Sequence, residues 1–230
     1  MSEQPKPYRV ETTIGADRET VWRAMTDAVQ LREWFGWDHG DLDGEIQYIF
    51  VDHVKQEPPE RMLFDDGSYL ELVPDGHRTT IRAVLPGSLD GTDWDEVYDG
   101  MEEGWRSFFE QLRFLLETRP QGRRRTVYLT GTATAADVLA IAGSDGELRH
   151  TSRYQRIAVH PSGHLLVVAG QAPLAGDVEG PISLTVTTYG LDDAAFADVL
   201  SEWTARWSDI PDARSTTTAG ESTITATAPR

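Results

Sequence analysis

The sequence predicts an α+β protein: an antiparallel sheet covered by one long helix, followed by a second, smaller α+β unit. Three observations carry this. Residues 45–85 break into short runs of alternating apolar and polar character, separated by tight-turn residues, the pattern of an antiparallel meander. The stretch "GMEEGWRSFFEQLRFLLE", residues 100–117, has apolar residues at three- and four-residue steps, as an amphipathic helix does. After a break at "RPQGRRR", a similar order of strands and helices recurs.

The elements follow in chain order. Residues 8–14 alternate as a strand. "ADRETVWRAMTD" then reads as a helix, with Asp17 able to cap its exposed amides and Val21, Trp22, Met25 and Ala28 forming its apolar stripe. A short second helix is expected in "VQLREWF", and Gly36, Gly40 and Gly44 mark a turn region. "EIQYIFVDHVKQ" is expected as a strand, with Ile46, Tyr48 and Phe50 on one face. "RMLFDD", "SYLELVPDG" and "RTTIRAVLP" complete the meander, divided by Pro58-Pro59, Gly67 and Asp75-Gly76. Asp93 and Glu96 have capping-box spacing ahead of the long helix. In that helix Met101, Trp105, Phe108, Leu112 and Leu115 form the expected inward stripe, with Phe109, Phe114 and Leu116 at its flanks.

Residues 119–125 are expected as a solvated linker, because Pro120 and Gly122 stop the helix and arginines favour water. Residues 126–210 read as the second unit, of order β-α-β-β-β-α, a shortened echo of the first half. Residues 211–230, rich in Thr, Ser and Ala, are expected as a disordered tail.

Composition bounds the function. The 230 residues suffice for one large or two small domains. The net charge of −17 disfavours nucleic acid and anionic lipid as partners. The absence of cysteine excludes disulfides, thiolate catalysis and thiolate metal sites. No run approaches the roughly 18 apolar residues of a membrane span. The opening "MSEQPKPYRV" lacks a signal-type apolar run, so a soluble cytoplasmic protein without membrane insertion is expected.

The residues of the first half resemble a known family. "YRVETTIGADRETVWRAMTDAVQLREWF" is similar to the opening strand and helices of the activator of heat-shock protein 90 ATPase homologue family, with Val21-Trp22, Thr26-Asp27 and Trp34-Phe35 at its marks. Gly104-Trp105, Leu112 and Leu116-Glu117 resemble its closing helix, and "VKQEPPERMLF" its mid-sheet segment. The resemblance spans residues 8–118. It implies the helix-grip fold shared by START-like lipid-transfer domains, birch-pollen allergens and polyketide cyclases. In that fold a curved antiparallel sheet wraps a long C-terminal helix, often leaving a cavity for an apolar ligand. The second unit has no such match, and a truncated helix-grip module is the expectation for it.

Motifs for other chemistries are missing. There is no G-x-x-x-x-G-K-[ST], no strand-linked G-x-G-x-x-G and no G-x-S-x-G. His160 and His164 are four apart, but Pro161 and Gly163 between them mark a turn rather than a metal-binding helix. Neither metal nor cofactor is expected. Asp52 and His53 adjoin on a predicted strand and so point to opposite faces. His53 alone is a weak acid–base candidate. Asp65 and Asp66 beside Gly67 read as turn residues. Arg82, opposite in phase to Ile81, is expected to face solvent.

The expected ligand cavity lies between sheet and helix. Its candidate lining is Trp34, Trp37, Tyr48, Phe50, Phe64, Tyr69, Trp94, Tyr98, Met101, Trp105 and Phe108. Large aromatics with a few polar groups are the usual design of a small-molecule site, and the same rings could equally fill a core. The leading expectation is a non-catalytic protein that holds a hydrophobic or aromatic small molecule. The alternatives are a cyclase- or hydratase-like enzyme using cavity acid–base groups, and an interaction module whose second unit makes a homodimer or an intrachain contact.

Overall fold

The computed structural model describes residues 6–87, 98–143 and 145–224. The chain forms two compact units. One comprises residues 1–35 and 43–119, the other residues 36–42 and 120–230.

The first unit opens with β1 (Tyr8–Ile14), α1 (Arg18–Thr26), α2 (Ala28–Arg32) and α3 (Leu42–Gln47). A π-helical turn, Tyr48–Asp52, extends α3. Then come β2 (Val54–Glu57), β3 (Arg61–Phe64), β4 (Tyr69–Asp75), β5 (Arg78–Leu85) and α4 (Gly100–Thr118). The strands form an antiparallel sheet in the order β1-β5-β4-β3-β2. Strand β1 alternates as its sequence demands, with Tyr8, Val10 and Ile14 buried. Helix α4 packs along β1. This is the helix-grip arrangement, a curved antiparallel sheet closed by a long helix at the end of the unit.

Short polar side chains set the helix starts. Asp17 accepts from the Thr20 amide at 2.8 Å, and Asp27 from the Val29 amide at 2.9 Å. Asp99 accepts from the amides of Met101 and Glu102 at 2.8 and 3.0 Å. Each satisfies donors that the helix itself leaves unpaired. The expected capping pair Asp93 and Glu96 lies outside the described residues.

On the outer face of the sheet, charges alternate across four strands. Arg82 donates to Glu11 at 2.9 Å and to Glu71 at 3.3 Å, and Arg61 reaches Glu71 at 3.3 Å. Register places these residues directly opposite one another, where opposite charges support pairing. Arg82 thus lies on the outer face, as its phase predicts, with two carboxylates as partners.

Residues 45–52 depart from expectation, being helical instead of a strand. Leu42, Ile46 and Phe50 are all buried and lie four apart. Ile46 and Phe50 share a face under both periods, but Leu42 adds a third turn to the helical one. Tyr48 therefore leaves the face of Ile46 and Phe50 and is 60% exposed.

The second unit contains β6 (Arg124–Ala133), α5 (Ala135–Ala142), β7 (Glu147–Thr151), β8 (Gln155–Val159), β9 (Leu165–Gly170), β10 (Gly180–Tyr189), α6 (Asp193–Trp207), β11 (Arg214–Thr217) and β12 (Gly220–Thr223). Its sheet has the order β12-β11-β6-β10-β9-β8-β7. Apart from the β11-β12 hairpin, it repeats the connectivity of the first unit. An opening strand pairs with the last of a four-strand meander, helix lies between opening strand and meander, and a longer helix follows. Val127, Leu129, Leu184, Val186, Trp203 and Trp207 belong to one core, with α5 contributing Val138. The Trp207 indole N–H donates to the Thr130 carbonyl at 3.0 Å, which satisfies its polar edge within that core.

Two boundaries are corrected. The expected tail, residues 211–230, contains β11 and β12, and β11 extends the sheet by pairing with β6. Threonine and serine suit an edge strand because they can alternate between buried and wet faces; here Ser215 and Thr217 are buried. The expected linker, residues 119–125, gives its last two arginines to β6. Arg124 is only 3% exposed and donates to the Gly36 carbonyl. Arg125 pairs with Asp193 at 2.8 Å and lies 3.9 Å over the Phe196 ring.

Residues 36–42 complete the second unit. The Trp37 ring stacks on Tyr128, with centroids 4.2 Å apart and planes 12° apart. The Asp38 amide donates to Thr126 Oγ1 at 2.6 Å, and the Asp38 carboxylate accepts from the Thr218 hydroxyl.

Candidate functional site

A continuous cluster of rings occupies the interior of the first unit. Phe35 lies 4.9 Å from Phe50 and 4.8 Å from Phe108. Trp34 meets Phe35 and Phe50 at 6.0 and 6.4 Å. Phe64 links Phe50 to Trp105 at 6.3 and 6.4 Å. Trp105 meets Phe108 and Phe109 at 5.9 and 5.5 Å. Several of these pairs are near edge-to-face, the favoured geometry of ring quadrupoles. Trp34 turns its indole N–H to the Ala24 carbonyl at 2.8 Å, so its polar edge is satisfied close by.

Among the described residues, the cluster has a polar margin at Tyr8. This phenol sits at the start of β1, 5% exposed, with the Trp105 and Ser68 side chains as its polar neighbours. The Ser68 hydroxyl donates to Asp66 Oδ1 at 2.6 Å, and the Ser68 amide to the same oxygen at 2.8 Å. Trp105 and Ser68 flank the phenol, and the Ser68 hydroxyl in turn donates to Asp66. The polar groups lead from a buried phenol to an exposed carboxylate. Burial raises the Tyr8 pKa above its ordinary value; the Trp105 and Ser68 hydrogen bonds oppose this, and the charges of Asp66 and Asp99 add to it. Tyr8 is therefore a neutral O–H at physiological pH. Charged groups stand on the same stretch of α4. Glu102 accepts from Lys6 Nζ at 2.7 Å and also pairs with Arg106.

Of the sequence-derived lining, Trp34, Phe50, Phe64, Trp105 and Phe108 come together in this cluster. Tyr48 stands at the surface against the His53 ring, 4.1 Å away. Met101 is 59% exposed and Tyr98 is also exposed. Trp105, Phe109 and Leu112 are the buried stripe of α4, so the stripe runs through Phe109 instead of Met101. Tyr69 shares the phase of Glu71, outside the buried Leu70 and Leu72, and Arg61 lies 4.8 Å over its ring. Trp37 belongs to the second unit. Trp94 lies outside the described residues. His53 is a partly exposed side chain paired with Asp65 at 2.8 Å. Among the described residues, no group of three or more His, Asp or Glu is arranged to hold a metal ion, and no helix is long and apolar enough to cross a membrane.

Tyr8, Ser68 and Phe35 are the site residues that the sequence reading missed. Tyr8 had a signal: alternation places it in phase with Val10 and Ile14. Asp66 is a turn residue as expected, and also the exposed end of these polar groups.

No family model matches the chain. A 3-dehydroquinate synthase of Corynebacterium glutamicum (strain R) is 32% identical over 92 residues, 40% of this chain and 23% of that protein. The chain thus spans under a quarter of the length of the curated relative it matches. Among solved structures, DynU16, a protein of the dynemicin biosynthetic locus, is 19% identical with a TM-score of 0.35, covering 89% of this chain and 96% of that one. BexL, the di-domain ARO/CYC from the BE-7585A biosynthetic pathway, is 15% identical with a TM-score of 0.35, covering 85% and 88%. The Aha1 dimer from Colwellia psychrerythraea is 16% identical with a TM-score of 0.33, covering 48% and 96%. These likenesses are distant and assign no activity.

Proposed function

We propose that the first unit binds a hydrophobic or aromatic small molecule and acts on it as an enzyme of the cyclase or hydratase kind, with Tyr8 as its proton donor. The buried phenol of Tyr8, with Trp105 beside it and the Ser68–Asp66 hydrogen bond at its edge, carries this reading. A buried phenol kept neutral at the edge of a ring cluster can protonate a carbonyl oxygen or a departing hydroxyl. The phenolate then regains its proton from solvent, at the margin where Ser68 and the exposed Asp66 stand. The aromatic cluster supplies the surface on which an apolar body would rest. The motif residues Val21-Trp22, Trp34-Phe35 and Gly104-Trp105 further support placing this unit with the activator of heat-shock protein 90 ATPase homologue family, without a chaperone as partner.

The decisive experiment extracts copurifying small molecules from the full chain and follows the retained compound with wild type and Tyr8→Phe. Turnover should fall about 100-fold or more with binding retained. Equal turnover by both proteins would refute Tyr8 as the acid. One observation favours a second reading, binding without catalysis: Tyr8 is only 5% exposed and already has Trp105 and Ser68 as polar neighbours. In that case the compound copurifies and comes back chemically unchanged.

A further inference from the structure

The function proposed for the first unit leaves His53 unused. This residue closes the π-helical turn, its amide donating to the Tyr48 carbonyl at 3.1 Å. Its Nδ1 lies 2.8 Å from Asp65 Oδ2. An ionised carboxylate only accepts, so Nδ1 carries the proton. The exposed Tyr48 ring lies against the imidazole, with centroids 4.1 Å apart, and so backs the side chain that reaches Asp65. Sheet register explains the pairing. Val54 lies opposite Phe64 at the end of the β2–β3 ladder, so the residue before the one meets the residue after the other.

Asp65 opens the tight turn between β3 and β4, and the far end of that turn reaches Tyr8. The Phe64 amide donates to the Ser68 carbonyl at 2.9 Å, and the Gly67 amide to the Phe64 carbonyl at 3.0 Å. Gly67 has φ +84°, a left-handed conformation that glycine adopts freely. A Cβ added there would meet nothing within 4 Å, so the tip of the turn stands clear of other elements. Side chains from elsewhere in the unit meet the turn at its two ends. His53 holds Asp65 at one end, and at the other Ser68, 7% exposed, stands beside the Tyr8 phenol. The turn is a short lever, fastened at its outer end by His53 and bearing Asp66 and Ser68 at its inner end.

We propose that His53 is a positioning residue for Tyr8: through Asp65 it fixes the turn so that Ser68 and Asp66 stay beside the phenol. The role rests on the reading of Tyr8 as the proton donor, but its test needs no substrate. A loosened turn admits water to the phenol and draws the Asp66 carboxylate away. Both changes favour the phenolate, and they outweigh the loss of Ser68 as a neighbour; Asp99, the other charge acting on Tyr8, stays on α4. The full-length protein with 13Cζ-labelled tyrosine reports the ionised fraction of Tyr8, its signal assigned by its absence in Tyr8→Phe. His53→Ala should raise that fraction about threefold near pH 10. It should also speed hydrogen exchange of the Ser68 amide about threefold at neutral pH. His53→Asn, whose amide N–H reaches the place of Nδ1, should stay close to wild type in both. Asp65→Ala should match His53→Ala, and the double variant should do no more than either alone. Unchanged Tyr8 ionisation in a folded His53→Ala, a His53→Asn as loose as His53→Ala, or additive effects in the double variant would overturn the proposal. Equal turnover by wild type and Tyr8→Phe would instead remove the acid role alone, because the ionisation and exchange readings are made without substrate.

Discussion

Tyr8 shows how much one side chain's surroundings can decide. A surface tyrosine titrates near pH 10, whereas burial holds Tyr8 in its neutral form to higher pH. His164 is shifted the other way. Burial lowers its pKa below the ordinary 6.5, the charge of nearby His160 adds to this, and Glu202 partly opposes it. A depressed histidine binds its proton later in the folded state than in the unfolded chain. Its contribution is therefore complete above about pH 6.5 and is lost as pH falls through the folded value. Thermal unfolding from pH 7.5 to 5 should show Tm declining below 6.5, before the carboxylates titrate. His164→Gln should flatten that decline; an unchanged slope would assign it to other groups.

Among the elements, α4 depends on its first turn. Asp99 satisfies two amides at once, so Asp99→Ala should cost about 1 kcal/mol, measured by urea unfolding, and Asp99→Asn or Asp99→Ser should recover most of it. The long helix was legible because its apolar residues recur at helical spacing, and β1 because its alternation is unbroken. Residues 45–52 were not, since Ile46 and Phe50 fit both periods. Nor were β11 and β12, whose threonines and serines resemble a solvated tail until a neighbouring strand supplies pairing. Within the candidate site, the rings of Trp34, Phe50, Phe64, Trp105 and Phe108 could be nominated from residue type alone. The polar margin at Tyr8 could not be, because Tyr8, Ser68 and Trp105 are distant in sequence and only the packing of α4 on the sheet brings them together.

At the scale of the whole molecule, two units of matching connectivity divide the chain, and the second is discontinuous. It borrows residues 36–42, whose Gly36 carbonyl, Trp37 ring and Asp38 carboxylate meet Arg124, Tyr128 and Thr218. Without Gly36, the buried Arg124 guanidinium loses an acceptor, and a buried charge left short of partners is costly. A fragment of residues 120–230 should accordingly unfold at lower denaturant than the same unit within the full chain. Trp37→Ala in the full chain should shift the second unit in the same direction, by about 2 kcal/mol or more. A fragment as stable as the intact unit would show that the borrowed segment contributes nothing.

That borrowed segment also sets an order of events during synthesis. Residues 36–42 leave the ribosome long before β6 exists, so they must wait, unpaired with their own unit, until the strand bearing Arg124, Thr126 and Tyr128 emerges. If the first unit closes once α4 is made, residues 36–41 then remain as the connection between α2 and α3, awaiting their sheet. A protease acting on nascent or truncated chains should therefore cut within residues 36–42, and the same bonds should become resistant once the chain has passed β11. Resistance of those seven residues to the protease would then report that the second half has been completed.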